Sequence, residues 1–187
     1  MLLINDKIDI PNIEEVIESL PQQRRDQVLA IKSVNGQRTS AAAYLLLCEG
    51  LERGYGIKEM PVFIYNEHGK PRLKDYPHIH FNMSHCKYAA ICAIDNVPVG
   101  VDIETIRPYN RRLAQYTMNS KELAIIESSD TPEIEFIRLW TRKEAVAKMI
   151  GRGLNNIKGL LDCYSGEIET IANIDKGYIY SVCKDKD

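Results

Sequence analysis

Residues 88–104 read Tyr88-Ala-Ala-Ile-Cys-Ala-Ile-Asp-Asn-Val-Pro-Val-Gly-Val-Asp-Ile-Glu104. Tyr88 to Ile94 is wholly apolar and short, which predicts a strand. Asp95-Asn96 supplies turn residues and predicts a hairpin into a second strand, Val97 to Glu104. Pro98 cannot donate to a ladder, so one side of that strand is an edge or it begins outside the ladder. Side chains alternate along a strand, placing Asp102 and Glu104 on one face and Val101 and Ile103 on the other.

Working outward, the chain alternates helical and extended stretches. A short strand lies within Met1 to Ile10, followed by helices over Asn12–Leu20 and Pro21–Ser33, the latter with proline in its first turn. Asn35-Gly36 is expected to interrupt before a buried helix from Gln37 to Arg53, with Arg38 at its start and Gly54 past its end. Val62–Tyr65 and His80–Met83 read as strands, with a turn at Asn66–Gly69. Beyond Glu104, helices are expected at Leu113–Met118 and Ser120–Ile126. A longer one starts after a cap at Asp130 or Thr131, with Pro132 in its first turn, and ends at Gly151. Asp162–Tyr164, Glu167–Ile171 and Gly177–Cys183 complete an antiparallel set. Helices then strands, twice over, predict an α+β fold of two similar lobes, 1–97 and 98–187, with the acidic strand at their junction.

On the long helix, Trp140, Glu144 and Lys148 are each four apart and fall on one stripe. Two strand carboxylates and a helical one form an oxygen-rich set suited to a hard divalent cation. With Lys148 beside it, such a site suits phosphoryl chemistry, because metal and lysine oppose charge on phosphate oxygens. A plainer reading stays open: Glu144 and Lys148 as a solvated helix pair contributing about 0.2–0.5 kcal/mol, and the strand acids facing water. Trp140 favours a covered face.

Composition sets the class. Of the 187 residues, 44% are hydrophobic and 27% charged, as in a soluble globular protein. A net charge of −2 gives no general attraction to nucleic acid, so an anion must be bound locally. There is no apolar run of membrane-spanning length, and the first residues lack a signal-peptide layout. The five cysteines are odd in number and lack a Cys-x-x-Cys, which predicts free thiols and a cytoplasmic protein.

Phe81-Asn-Met-Ser84-His85, Gly100-Val-Asp-Ile-Glu104 and Trp140-x-x-Lys-Glu144-x-x-x-Lys148, in this order, resemble the Sfp-type 4′-phosphopantetheinyl transferases. Gly69-Lys70-Pro71 and Gly151-Arg-Gly-Leu154 fit the same pattern. The resemblance implies a pseudo-dimer of two α+β lobes with coenzyme A in the cleft between them. It implies transfer of the phosphopantetheine arm to a serine of an apo acyl or peptidyl carrier protein, releasing adenosine 3′,5′-bisphosphate. Asp102, Glu104 and Glu144 would ligate Mg²⁺, with Mn²⁺ able to substitute. Glu144, or a water it orients, would accept the serine proton, and Lys148 would hold phosphate. Ser84 and His85 would contact phosphate, with Arg38, Gly69, Lys70 and Pro71 around the adenosine end. Arg107, Arg111 and Arg112 form either a patch that steers an acidic carrier or a solvated connector, and Leu113, Tyr116 and Met118 either receive its helix or pack in the core. Ahead of Arg38 the chain departs from the pattern: Arg24, Arg25 and Lys32 are present, but Gln27 and Val28 stand where further positive charge is expected. The chain also stops soon after Cys183, so tail contacts of longer relatives are expected to be missing. A monomer acting without nucleic acid or membrane is expected.

Two other readings compete. His78, His80 and His85 with a carboxylate could form a zinc-dependent hydrolase site. A degenerate fold could bind carrier or coenzyme A without turnover.

Overall fold

The computed structural model describes residues 1–153 and 156–185, so Leu154 of the glycine-rich motif and the last two residues of the second lobe lie outside the described residues. Strand β1 (Leu2–Asn5) is followed by helices α1 (Ile13–Ser19), α2 (Gln22–Leu29) and α3 (Val34–Tyr55). Then come β2 (Phe63–Tyr65), β3 (Pro71–Leu73), β4 (His80–His85), β5 (Ala90–Asp95) and β6 (Val99–Thr105). Helices α4 (Arg111–Thr117), α5 (Ser120–Glu127) and α6 (Pro132–Ile150) precede a 3₁₀ turn at Ile157–Gly159, β7 (Ile168–Asn173) and β8 (Tyr178–Lys184). This is a mixed α+β fold built on antiparallel sheets. Among the described residues no helix is long and apolar enough to cross a membrane.

The main sheets have orders β1-β5-β4 and β6-β8-β7. Alternation on β5 explains their stacking. Ala90, Cys92 and Ile94 pack with α3, whereas Ile91 and Ala93 join Val99, Val101, Ile103 and Tyr178 between the sheets. On the outer face of β8, Ile179 and Cys183 pack beneath α6. The layers therefore run helix, sheet, sheet, helix.

Several expectations change. β5 and β6 do not form a hairpin: β5 already has β1 and β4 on its two edges, so the chain crosses to the other sheet through Asn96–Pro98. β6 is an edge strand, as Pro98 suggested. Asn35-Gly36 does not interrupt α3 but forms its first turn, because the Ser33 side chain caps the Gly36 N–H. Gly54 lies inside that helix; Gly56, at φ 70°, is its left-handed cap. Thr131 precedes α6 without a side-chain capping bond, and Asp162–Tyr164 is a turn rather than a strand. β3, absent from the sequence reading, pairs with β2 into a small hairpin.

Candidate active site

Glycine fixes how close the acidic strand and the long helix come. A Cβ on Gly100 would stand 2.0 Å from the Ala145 carbonyl, so β6 and α6 touch main chain to main chain. From there Asp102 and Glu104 point to the α6 side of β6. Lys148 Nζ lies 2.6 Å from Asp102 Oδ1, and Ser84 Oγ donates to the same oxygen at 2.9 Å. Lys148 also reaches Ser84 Oγ at 3.0 Å. Glu104 is held by Trp140, whose indole N–H donates to Oε1 at 3.2 Å, and by Arg107 at 2.8 Å from Oε2. The Trp140–Glu144–Lys148 stripe thus faces the strand acids, and Trp140 orients one of them, a role sequence spacing did not show.

The surroundings are short of positive charge. Asp102 is buried and its Oδ2 has no hydrogen-bond partner. Burial, followed by the charges of Asp102 and Glu104 against the opposing pull of Lys148, pushes the Glu144 carboxyl up to about 7. These are all oxygen donors, the set a hard divalent cation takes. They fit such an ion in chemistry and in their excess of negative charge. Among the described residues, however, no three acid, histidine or cysteine side chains are gathered as a ready ligand cluster. Lys148 and Ser84 occupy one Asp102 oxygen, and Trp140 and Arg107 occupy Glu104.

Two adjoining pockets of about 280 and 380 Å³ share Met83, Glu144 and Lys148 and make one groove. One end carries Ser84, His85, Asp102 and Glu104; the other is walled by Gly69, Lys70 and Pro71. A separate cavity of about 430 Å³ opens beyond Lys70 and Pro71, but it contains none of the acids. We place the site in the groove, where the ionisable groups converge.

His85 sits against Thr39 of α3, with Nδ1 3.0 Å from the hydroxyl oxygen. Thr39 donates its one proton to the Gly36 carbonyl, so it accepts from the imidazole and Nδ1 carries the hydrogen. Burial, then the Arg24 and Lys148 charges, hold His85 down at about 4, neutral at pH 7. Thr39 was not singled out in the sequence. Lys70 donates Nζ to the Met149 carbonyl at 2.5 Å, and Asn66 donates to the Gly151 carbonyl at 3.1 Å. The hairpin therefore staples the last turn of α6, satisfying carbonyls the helix leaves open. Gly69, at φ 81°, makes the tight turn.

Arg38 donates Nε to the Ile10 carbonyl at 3.1 Å and is absent from the groove lining. Arg24, by contrast, bonds Ser40 and contributes to the field at His85. Arg111 pairs with Glu127 at 3.0 Å, and Arg112 is exposed. His80 and His85, five apart on β4, fall on opposite faces, so the histidine-metal arrangement is not assembled.

Sequence reading also passed over Lys143. It is fully buried, 2.9 Å from Glu122 and bonded to the carbonyls of Ile157 and Lys158 at 2.7 and 2.9 Å. Its place on the apolar stripe of Phe136, Leu139 and Val146 was the signal: a charge at a core position needs internal partners.

Comparison with known proteins finds similarity in the same part of the chain. Residues 98–181 match the family model described as the 4′-phosphopantetheinyl transferase superfamily. The chain is 34% identical over 108 residues to 4′-phosphopantetheinyl transferase Sfp of Bacillus subtilis (strain 168), covering 56% of this chain and 48% of that protein. It is 38% identical over 117 residues to gsp of Aneurinibacillus migulanus, covering 58% and 48%. With psf-1 of Bacillus pumilus it shares 26% over 155 residues, 81% of this chain and 66% of that protein. The chain spans about half the length of most curated relatives it matches. The matched segment contains the carboxylate strand, the stapled helix and the sheet beneath them, so the chain's similarity to the 4′-phosphopantetheinyl transferase superfamily falls on the candidate site.

Proposed function

We propose that the chain transfers the 4′-phosphopantetheine group of coenzyme A to a serine of an apo acyl or peptidyl carrier protein, releasing adenosine 3′,5′-bisphosphate. The observation that carries this reading is the groove in which Lys148, Ser84 and His85 face the crowded carboxylates Asp102, Glu104 and Glu144. Its shape suits an extended ligand, with phosphates at the Lys148 end and the adenosine end near Gly69, Lys70 and Pro71.

Asp102, Glu104 and Glu144 would hold Mg²⁺, or Mn²⁺ in its place. When bound, the ion would offset the charge of the coenzyme's pyrophosphate. Lys148 would leave Asp102 Oδ1 to bind phosphate and stabilise the charge gathering on the leaving oxygens. Ser84 would give its hydroxyl to the same phosphate. His85, neutral beforehand, would take up a proton as a phosphate approached its Nε2 and then donate to it. Glu144 would accept the proton of the carrier serine as its oxygen attacks phosphorus. Arg38 and Lys70 would meet the adenosine phosphate only after exchanging their present carbonyl partners.

The two helix-on-sheet halves, α3 over β1-β5-β4 and α6 over β6-β8-β7, support a pseudo-dimer of lobes 1–97 and 98–187 with the coenzyme cleft at their junction. A single chain then carries the whole site, consistent with a cytoplasmic monomer. For the carrier, Arg107, Arg111 and Arg112 lie at and just before α4. Beside them Leu113, Tyr116 and Trp140 line a depression of about 630 Å³, with Tyr116 76% exposed. Arg107 and Arg111 are paired with Glu104 and Glu127, and Met118 is buried. Arg112 and Lys158 would therefore supply the positive charge beside the apolar floor for an acidic amphipathic helix.

The test is incubation with coenzyme A, Mg²⁺ and apo carrier proteins, read by intact mass. One added phosphopantetheine, lost with EDTA, is the expected result. No addition across carriers from fatty-acid and peptide synthesis, with coenzyme A still bound, would replace this reading with a non-catalytic binder.

A further inference from the structure

β4 and β6 are edges of different sheets, and no ladder runs between them. β6 pairs with β8 on one side only, so its other edge presents main-chain groups to the protein interior. A buried N–H there needs a partner. Asn82 supplies it: its Oδ1 accepts the Val101 N–H at 3.2 Å, with both residues buried. Two residues on, Ser84 leaves the same face of β4 and donates to Asp102. Adjacent residues of β6, the main chain of one and the side chain of the next, are thus gripped by consecutive same-face side chains of β4. Asn82 also lines the groove beside Glu144 and Lys148.

We propose that Asn82 is a positioning residue whose side-chain amide stands in for a missing ladder rung, fixing β6 against β4 so that Asp102 meets Ser84 and Lys148. The proposal deepens the transferase reading and rests on it for its consequence on turnover, but the clip itself can be measured without activity. Asparagine suits the position because its acceptor is neutral. Aspartate would accept the same N–H but add charge beside Asp102 and Glu144. Leucine has nearly the same shape and no acceptor, so it leaves the Val101 N–H orphaned.

The experiment compares wild type, Asn82→Leu and Asn82→Asp by amide hydrogen exchange at Val101, coenzyme A binding calorimetry and carrier modification kinetics. In Asn82→Leu, Val101 exchange should rise at least tenfold. The kcat should fall ten- to a hundredfold, as expected for a reacting group displaced by about an ångström. The KM for coenzyme A should change less than threefold. Asn82→Asp should keep slow Val101 exchange and a kcat above that of Asn82→Leu. Unchanged Val101 exchange in a folded Asn82→Leu protein overturns the clip. Loss of coenzyme affinity with kcat preserved overturns positioning in favour of direct ligand contact. Should Asn82→Leu not fold, Asn82→Asp decides: fast Val101 exchange in that variant refutes the proposal, and slow exchange supports it. If wild type modifies no carrier, the transferase reading fails while Val101 exchange still judges the clip.

Discussion

Helix α6 carries two lysine–carboxylate pairs only five residues apart, and they behave as opposites. Lys143 and Glu122 are 0% and 8% exposed; every role is filled, by Glu122 and by two carbonyls. Lys148 and Asp102 are 30% and 5% exposed, and Asp102 keeps an oxygen with no partner. The two lysines point about 140° apart around the helix. One faces the α5 cap and the loop after α6, the other faces the groove. A saturated buried pair holds structure, whereas an unsaturated pair beside further carboxylates is poised to exchange partners. Burial alone does not separate the roles; completeness of the hydrogen bonding does.

The largest effect should come from the open side. Glu144→Gln keeps shape but removes the proposed proton acceptor, and carrier modification should fall by about 10²–10⁴-fold with the melting temperature little changed. A folded variant that modifies carriers at the wild-type rate would remove Glu144 from the chemistry. On the saturated side, Lys143→Met strips one partner from a buried pair and should cost about 3–5 kcal/mol in chemical denaturation. The remaining folded molecules should still turn over. A variant that loses activity before stability would erase the contrast.

Gly100→Ala tests the backbone contact between β6 and α6. Its methyl would meet the Ala145 carbonyl and Met149, so a loss of about 1–3 kcal/mol is expected, with reduced activity. The smallest effect concerns a surface link outside either pair. Asp6 is held below its ordinary value by hydrogen bonds from Lys176 and Tyr178. Its contribution is therefore present above the unfolded value near 3.8 and lost as pH falls through the lower folded value. Between pH 5 and 2 the wild type should lose slightly more stability than Asp6→Asn in parallel melts; coincident curves would show the link contributes nothing.

How much of this was legible in the chain depended on range. Alternation along Val101–Glu104 and the four-residue spacing on α6 are local, and both placed their side chains on the faces observed. Strand pairing is not local: Asp95-Asn96 has good turn chemistry, yet β1, far away in sequence, had already taken the free edge of β5. Asn35-Gly36 misled because Ser33 caps the helix, which starts at Val34, three residues before the expected Gln37. The charged residues divide the same way. Spacing brought out Glu144 and Lys148, but only tertiary contacts show Lys70 on the helix end, Arg38 on Ile10 and Lys143 in the core.

The contact at Gly100 also bears on how much change the site can absorb. Side chains can adopt other rotamers, but a strand backbone resting on a helix backbone leaves only one distance of closest approach. The interval between the carboxylates of β6 and that of α6 is therefore set by a stop made of peptide groups, like a gauge between two rails. Apolar residues around it, such as Val101, Ile103 and Val146, can be exchanged for others of similar volume without resetting that interval. An engineer could recut the core for stability and leave the electrostatics of the groove in place, provided position 100 stays without a side chain.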